Sequence, residues 1–161
     1  MKRRQILAGV GAVTGLGVAG VVGWELFAPE RSTMVAEAAG PTGMALKRGV
    51  FVGKANHRVS GTVTLYEDGE GVALRFEEYE QTQGPDVFVY LTPAPDPDTT
   101  SEVDAGVKIL VDGGADGGES TKEGTFTQRL PAGVDPSEYM GVSIWCDRFA
   151  VPFGAATLTP V

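Results

Sequence analysis

Short runs of alternating hydrophobic and polar residues fill most of the chain after residue 48. In one run, Val59, Val63 and Leu65 lie on one face of an extended strand, and Ser60 and Thr62 lie on the other. Glycine, proline and an Asp-Gly step separate the runs, which is typical of β-hairpin proteins. The pattern predicts an all-β fold, an antiparallel β-sandwich of about seven or eight short strands over residues 48–161.

The last hydrophobic run, Val142 to Leu158, contains the single cysteine of the chain. Val142, Ile144 and Cys146 share one face of a strand, and the alternation resumes with opposite parity after the charged pair Asp147-Arg148. Such a change of parity indicates a turn or bulge that redirects the strand. We therefore expect Cys146 at a strand end beside a bend, where its side chain is both held and reachable.

The first 28 residues have a different pattern from the rest of the chain. The pair Arg3-Arg4 precedes an uncharged stretch from Ile6 to Trp24 that is long enough to cross a bilayer. This predicts one hydrophobic helix that acts as an export signal or a membrane anchor. The paired arginines resemble a twin-arginine export signal, although Lys2 occupies the position of the usual Ser or Thr.

The fate of the export segment is open, because either a cleaved signal or a retained anchor fits the sequence. An A-x-A cleavage pattern occurs at residues 36–38, farther from the hydrophobic stretch than is usual. Residues 29–47 are small, polar and punctuated by proline, which predicts a flexible tether. Both outcomes place the following domain on the outer face of the cell membrane or in the medium.

The charge balance excludes one class of partner. The chain has 21 acidic and 13 basic residues and a net charge of −8, so it lacks the basic face that nucleic-acid binding requires. The acidic excess also suits a halophilic source, because net charge keeps proteins soluble in high salt. One cysteine excludes an internal disulfide and a cysteine-rich metal cluster within the chain.

Five ordered segments of the chain together resemble the DM-thirteen domain family, a small β domain also found in Skeletor-type proteins. They are Gly49–Phe51, His57–Thr62, Gly84–Leu91, Gly124–Pro131 and Ile144–Phe149, followed by Phe153 to Leu158. The resemblance covers Gly49 to Leu158 and implies a DM-thirteen-like domain over residues 48–161. The family occurs beside DOMON and b-type cytochrome modules. The resemblance therefore implies a redox role centred on Cys146 and a membrane redox protein or other surface protein as partner, and it names no cofactor.

The residues themselves leave the role of Cys146 open. A working thiol needs nearby positive charge and access to solvent; Arg148 could supply the charge, whereas Asp147 opposes it. The alternatives are a cysteine packed in the core as a small hydrophobic residue and a cysteine that forms an intermolecular bridge.

His57, the single histidine, is the other candidate for site chemistry. With Cys146 it could form a thiolate–imidazole pair or half of a metal site, but two ligands are too few to predict a metal centre. The alternative is that His57 opens a strand and hydrogen-bonds the neighbouring backbone. Asp86 is expected to stabilise a Gly-Pro-Asp turn rather than to act as an acid.

These observations predict an exported cell-surface β domain with an electron-transfer accessory role centred on Cys146. The alternative is a non-catalytic surface module that binds a partner protein or ligand, with Cys146 structural. No Ser, His and Asp trio can be assembled from the sequence, so we expect at most a redox accessory domain and not an enzyme in its own right.

Overall fold

The computed structural model describes residues 31–114 and 117–161. The predicted N-terminal helix and the export residues Arg3 and Arg4 lie outside the described residues. Within the described ranges, no helix combines the length and the hydropathy needed to span a membrane.

The described residues form ten strands and one short α-helix. The elements are β1 (Thr33–Ala36), β2 (Met44–Gly53), β3 (Val59–Asp68), β4 (Gly71–Gln81), β5 (Val87–Thr92), α1 (Thr100–Asp104), β6 (Val107–Ile109), β7 (Lys122–Arg129), β8 (Gly141–Cys146), β9 (Val151–Thr157) and β10 (Thr159–Pro160). A 3-10 helix, Pro136–Glu138, precedes β8. The strand order is β1-β7-β4-β3-β2-β9-β8-β5-β6, with β10 paired to β2.

β2 joins the two halves of the sheet. Its first part pairs with β3, and its last three residues, Phe51 to Gly53, pair with β9. The strands therefore form one curled sheet instead of two separate ones. The all-β class is confirmed, whereas the division into the two sheets of a sandwich is not, and the described strands number ten rather than seven or eight.

The core lies inside the curl of the sheet. Both halves contribute fully buried side chains to one cluster, among them Leu65, Phe76, Leu91 and Ile144. Stacked and tilted aromatic pairs fill one end of it, with ring centroids of Phe76 and Phe126 4.7 Å apart. Burial of each such side chain contributes about 1.5–3 kcal/mol, so the curl is the main source of stability in the domain.

The ordered sheet extends into the segment for which a flexible tether is predicted. β1 pairs in parallel with β7, and the buried Arg75 of β4 holds the residues that follow β1. Its guanidinium donates to the carbonyl oxygens of Glu37 and Ala39, at 2.8 and 3.2 Å, and to Thr127 Oγ1 at 3.1 Å. The Glu37 carboxylate lies 3.3 Å from the same group. These contacts are long-range, so local composition does not reveal them.

The segment between β5 and β6 contains the helix α1. Thr99 caps the helix with its hydroxyl, which accepts from the Glu102 backbone N–H, and Glu102 Oε2 accepts from the Thr99 backbone N–H at 3.0 Å. This reciprocal capping box explains why so short a helix forms. Val103 is 1% exposed and packs against Tyr90 and Trp145 on the outer face of the sheet. A helix of five residues is too short to show a helical hydrophobic period.

Replacing the buried Arg75 should destabilise the protein far more than replacing an exposed arginine. Arg75→Gln removes the guanidinium from two carbonyl oxygens and from the Glu37 carboxylate, which keeps only the Thr127 backbone N–H and Lys122 as partners. The loss should cost about 3 kcal/mol of unfolding free energy. Arg48→Gln is the matched control: its side chain is 55% exposed, and the loss should be below about 1 kcal/mol. Chemical denaturation of both variants measures the difference. Equal losses would contradict the anchoring role of Arg75.

Candidate functional site

Two turns enclose the thiol of Cys146. β8 ends at Cys146, and an exposed turn over residues 147–150 leads into β9. The Gly84-Pro85-Asp86 turn leads into β5, whose first residue, Val87, lies opposite Cys146 in the sheet. The Asp147 backbone N–H donates to the Asp86 carbonyl at 2.9 Å and joins the two turns. The predicted strand end and bend at Cys146 are both present.

The sulfur atom is shielded from solvent and fully engaged in hydrogen bonds. Cys146 is 0% exposed, and its thiol donates to the Pro85 carbonyl at 3.2 Å. Backbone N–H groups of Arg148 and Phe149 donate to the sulfur. Burial raises the pKa of the Cys146 thiol, the two N–H groups oppose the shift, and the charges of Asp86 and Asp147 add to it. The net pKa is raised, so the thiol stays protonated at neutral pH.

Arg148 does not leave its positive charge available to the sulfur. Its Nε lies 2.6 Å from Asp86 Oδ2, so the guanidinium and the carboxylate neutralise each other. The carboxylate of Asp86 thus fastens one turn to the other instead of bonding only within its own turn. Asp86 has a φ of 53°, a left-handed conformation that aspartate tolerates better than most residues.

His57 and Cys146 have different contact partners in the structure. His57 lies in the turn between β2 and β3, where its backbone N–H donates to the Lys54 carbonyl at 2.8 Å. Its ring stacks on Phe153, with 3.7 Å between the centroids. Burial lowers the pKa of His57. In residues 31–114 and 117–161, no three His, Cys, Asp or Glu side chains are grouped so that they could hold a metal ion.

A chain of polar side chains on the outer face of the sheet was not identified from the sequence. Tyr90 of β5 donates its hydroxyl to Asp147 Oδ1 at 2.7 Å, and Lys108 Nζ of β6 lies 2.5 Å from Asp147 Oδ2. Lys108 also sits 4.1 Å above the ring of Phe88. Burial, assisted by the bond to Asp147, raises the pKa of Tyr90 to about 12. The three polar residues are far apart in the sequence. The pairing of β5 with β6 and β8, together with the turn after β8, brings them together.

A comparison with family models shows what the chain is similar to. A model described as Electron transfer DM13 matches residues 50–158. The match includes both turns around Cys146, the turn that carries His57, and strands β3 to β9. Searches of curated proteins and of solved structures found no match.

The native protein should protect Cys146 from alkylation at neutral pH. Its thiol is buried and protonated, whereas the thiolate is the form that reacts. Modification by iodoacetamide should therefore be slow in the native state and fast after unfolding, as mass spectrometry can measure. Rapid modification at pH 7 without denaturant would contradict the protected environment.

Stability should also fall at alkaline pH because of Cys146. The unfolded chain ionises its thiol near pH 8.5, while the raised native pKa keeps the folded thiol neutral, so the unfolding free energy decreases as pH rises above that value. Cys146→Ala should lose this part of the pH dependence between about pH 8 and pH 10. Denaturation curves at each pH provide the comparison. An unchanged slope in the variant would show that Cys146 has no shifted pKa.

Proposed function

Because this chain belongs to the Electron transfer DM13 family, whose model matches residues 50–158, we propose that it is an electron-transfer accessory domain with Cys146 as its candidate centre. The family match is the observation that carries the proposal. The chain contributes a single thiol, which two turns enclose within the matched region.

The surroundings of the sulfur support a slow and selective exchange of electrons. Two backbone N–H groups point at the sulfur and favour negative charge on it. When the thiol gives one electron to an oxidised centre of a partner, a thiyl radical remains and the proton leaves to solvent. Cys146 is 0% exposed and the turn over residues 147–150 follows it directly, so release of the proton to solvent requires this turn to move.

A second function is favoured by the burial of the thiol. A 0% exposed cysteine with a raised pKa is also what a structural residue in a non-catalytic surface module would show. In that case the domain binds a partner protein or ligand through its surface, and Cys146 contributes only packing.

Export is the second part of the proposal. The pattern of residues 1–28 supports delivery to the outer face of the membrane, where the domain is retained by the segment or released after cleavage. A membrane redox protein or another surface protein would then be the partner in the proposed role.

The electron-transfer role can be tested by voltammetry of the full-length protein in detergent. We expect a one-electron response that disappears in Cys146→Ala. Ser143→Ala is the matched control, because Ser143 is equally buried in β8, points to the other face, and has an Oγ without a hydrogen-bond partner among the described residues. The same response from wild type and Cys146→Ala would contradict Cys146 as the centre and favour the surface module.

The export route can be tested with the double variant Arg3→Lys and Arg4→Lys. The twin-arginine route reads the guanidinium pair and not charge alone, so translocation should fail. Arg31→Lys, outside the pair, should be exported normally. Protease accessibility in whole cells reports the location, and normal export of the double variant would indicate the general secretory route.

A further inference from the structure

Tyr90 has a hydrogen bond that distinguishes it from the other tyrosines of the domain. Among the hydrogen bonds of the described residues, its hydroxyl is the one tyrosine hydroxyl that donates to a carboxylate, Asp147 Oδ1, at 2.7 Å. Tyr79 instead bonds to two neutral groups, Gln81 Oε1 and Ser120 Oγ. A neutral amide or hydroxyl cannot take up a proton at neutral pH, whereas an ionised carboxylate can.

This difference matters because a phenol that loses an electron becomes strongly acidic. Its proton must then pass to a base, and a base already held at hydrogen-bond distance removes the need for solvent to enter. Tyr90 is 8% exposed, so solvent has little access to its hydroxyl. Asp147 is 30% exposed at its side chain and can release the proton to solvent afterwards.

We propose that Tyr90 and Asp147 form a second redox site, in which Tyr90 gives up one electron while its phenolic proton moves to Asp147. The bond that breaks is the Tyr90 O–H bond, and the bond that forms is the O–H bond on Asp147 Oδ1. The electron goes to a strong one-electron oxidant, such as a high-valent metal centre or a peroxyl radical, because weaker acceptors do not oxidise phenols. The products are a neutral tyrosyl radical, a protonated Asp147 and the reduced oxidant.

The positive charge of Lys108 disfavours the oxidation of Tyr90 and so lowers its rate. Its ammonium lies 2.5 Å from Asp147 Oδ2, so a proton that arrives on the carboxylate breaks this ion pair. It also lies 5.5 Å from the centroid of the Tyr90 ring, where a positive charge disfavours removal of an electron. Removal of Lys108 should consequently ease the oxidation of Tyr90, and removal of the carboxylate should hinder it.

The biological use of this site rests on the proposed electron-transfer function, but its redox chemistry does not depend on Cys146. Trp145 and Phe88 pack in the same cluster as Tyr90, on the face of β8 opposite to the thiol. The site would thus give the domain a one-electron donor near its surface, next to the turn that covers the cysteine.

The test is photo-oxidation of the full-length protein in detergent by photogenerated ruthenium(III) tris-bipyridine. Electron paramagnetic resonance and transient absorption detect the tyrosyl radical and the rate at which it forms. We expect a tyrosyl radical to form in the wild type and in the control Tyr66→Phe. We expect this radical to be lost in Tyr90→Phe. An unchanged radical in Tyr90→Phe would overturn the assignment.

Two further variants separate a redox role from a merely structural hydrogen bond. Asp147→Asn keeps the size of the side chain but cannot take the proton, so radical formation should slow by about 100-fold. Lys108→Met keeps the stem over Phe88 and should speed radical formation by up to about fivefold. Rates that stay unchanged, or that move in the same direction in both variants, would overturn the proposal.

The result of the Tyr90 experiment can be distinguished from the result of the Cys146 voltammetry. Loss of the voltammetric response in Cys146→Ala with an intact Tyr90 radical would support both sites independently. A Tyr90 radical in a protein whose Cys146 shows no electron exchange would leave this inference standing while the proposed role of Cys146 fails.

Discussion

The whole structure depends on β2 being hydrogen-bonded to both halves of the sheet. At Gly49 a side-chain Cβ would lie 2.6 Å from the Thr157 carbonyl oxygen, and at Gly53 it would lie 2.2 Å from the His57 carbonyl oxygen. Such distances are too short for any side chain, so Gly49 allows the backbone of β2 to approach β9, and Gly53 allows the turn that follows β2 to fold back against it. Without the passage of β2 from β3 to β9 the sheet could not curl, and its hydrophobic face would have no opposite wall to pack against.

The curl also determines the position of the thiol. It places β8 between β9 and β5, so Cys146 lies opposite Val151 on one side and Val87 on the other. Its side chain points into the core. Two interactions then compete at the sulfur: burial favours the neutral thiol, and the N–H groups of Arg148 and Phe149 favour the thiolate. Burial is the larger effect. The guanidinium of Arg148 does not offset it, because it is paired with the carboxylate of Asp86. A redox role for Cys146 must therefore work from a protonated, enclosed thiol and not from a reactive surface thiolate.

The hydrophobic pattern of the sequence predicted those strand faces and turns that depend on residues adjacent in the chain. The alternation of Val142, Ile144 and Cys146 indicated the core face of β8, and the parity change after Cys146 indicated the turn. The features that were missed depend on partners distant in the chain: β1 requires β7 and Arg75, and Asp86 requires Arg148. The helix α1 is the exception, because the Thr99–Glu102 capping pair was visible in the sequence, but the five-residue helix has no hydrophobic period to accompany it.

Asp147 connects the two redox candidates with opposite effects. Its charge helps to keep the Cys146 thiol protonated, and the same carboxylate offers the Tyr90 phenol a place for its proton. Because successive residues of a strand point to opposite faces, β8 presents a shielded sulfur on its inner face, and the polar chain at its end lies partly exposed on the outer face. Protonation of Asp147 by Tyr90 would remove the negative charge beside the thiol and so weaken one cause of its raised pKa. Burial and the charge of Asp86 would still hold the pKa of the thiol above its ordinary value, so the two sites share a carboxylate while each keeps its own chemistry.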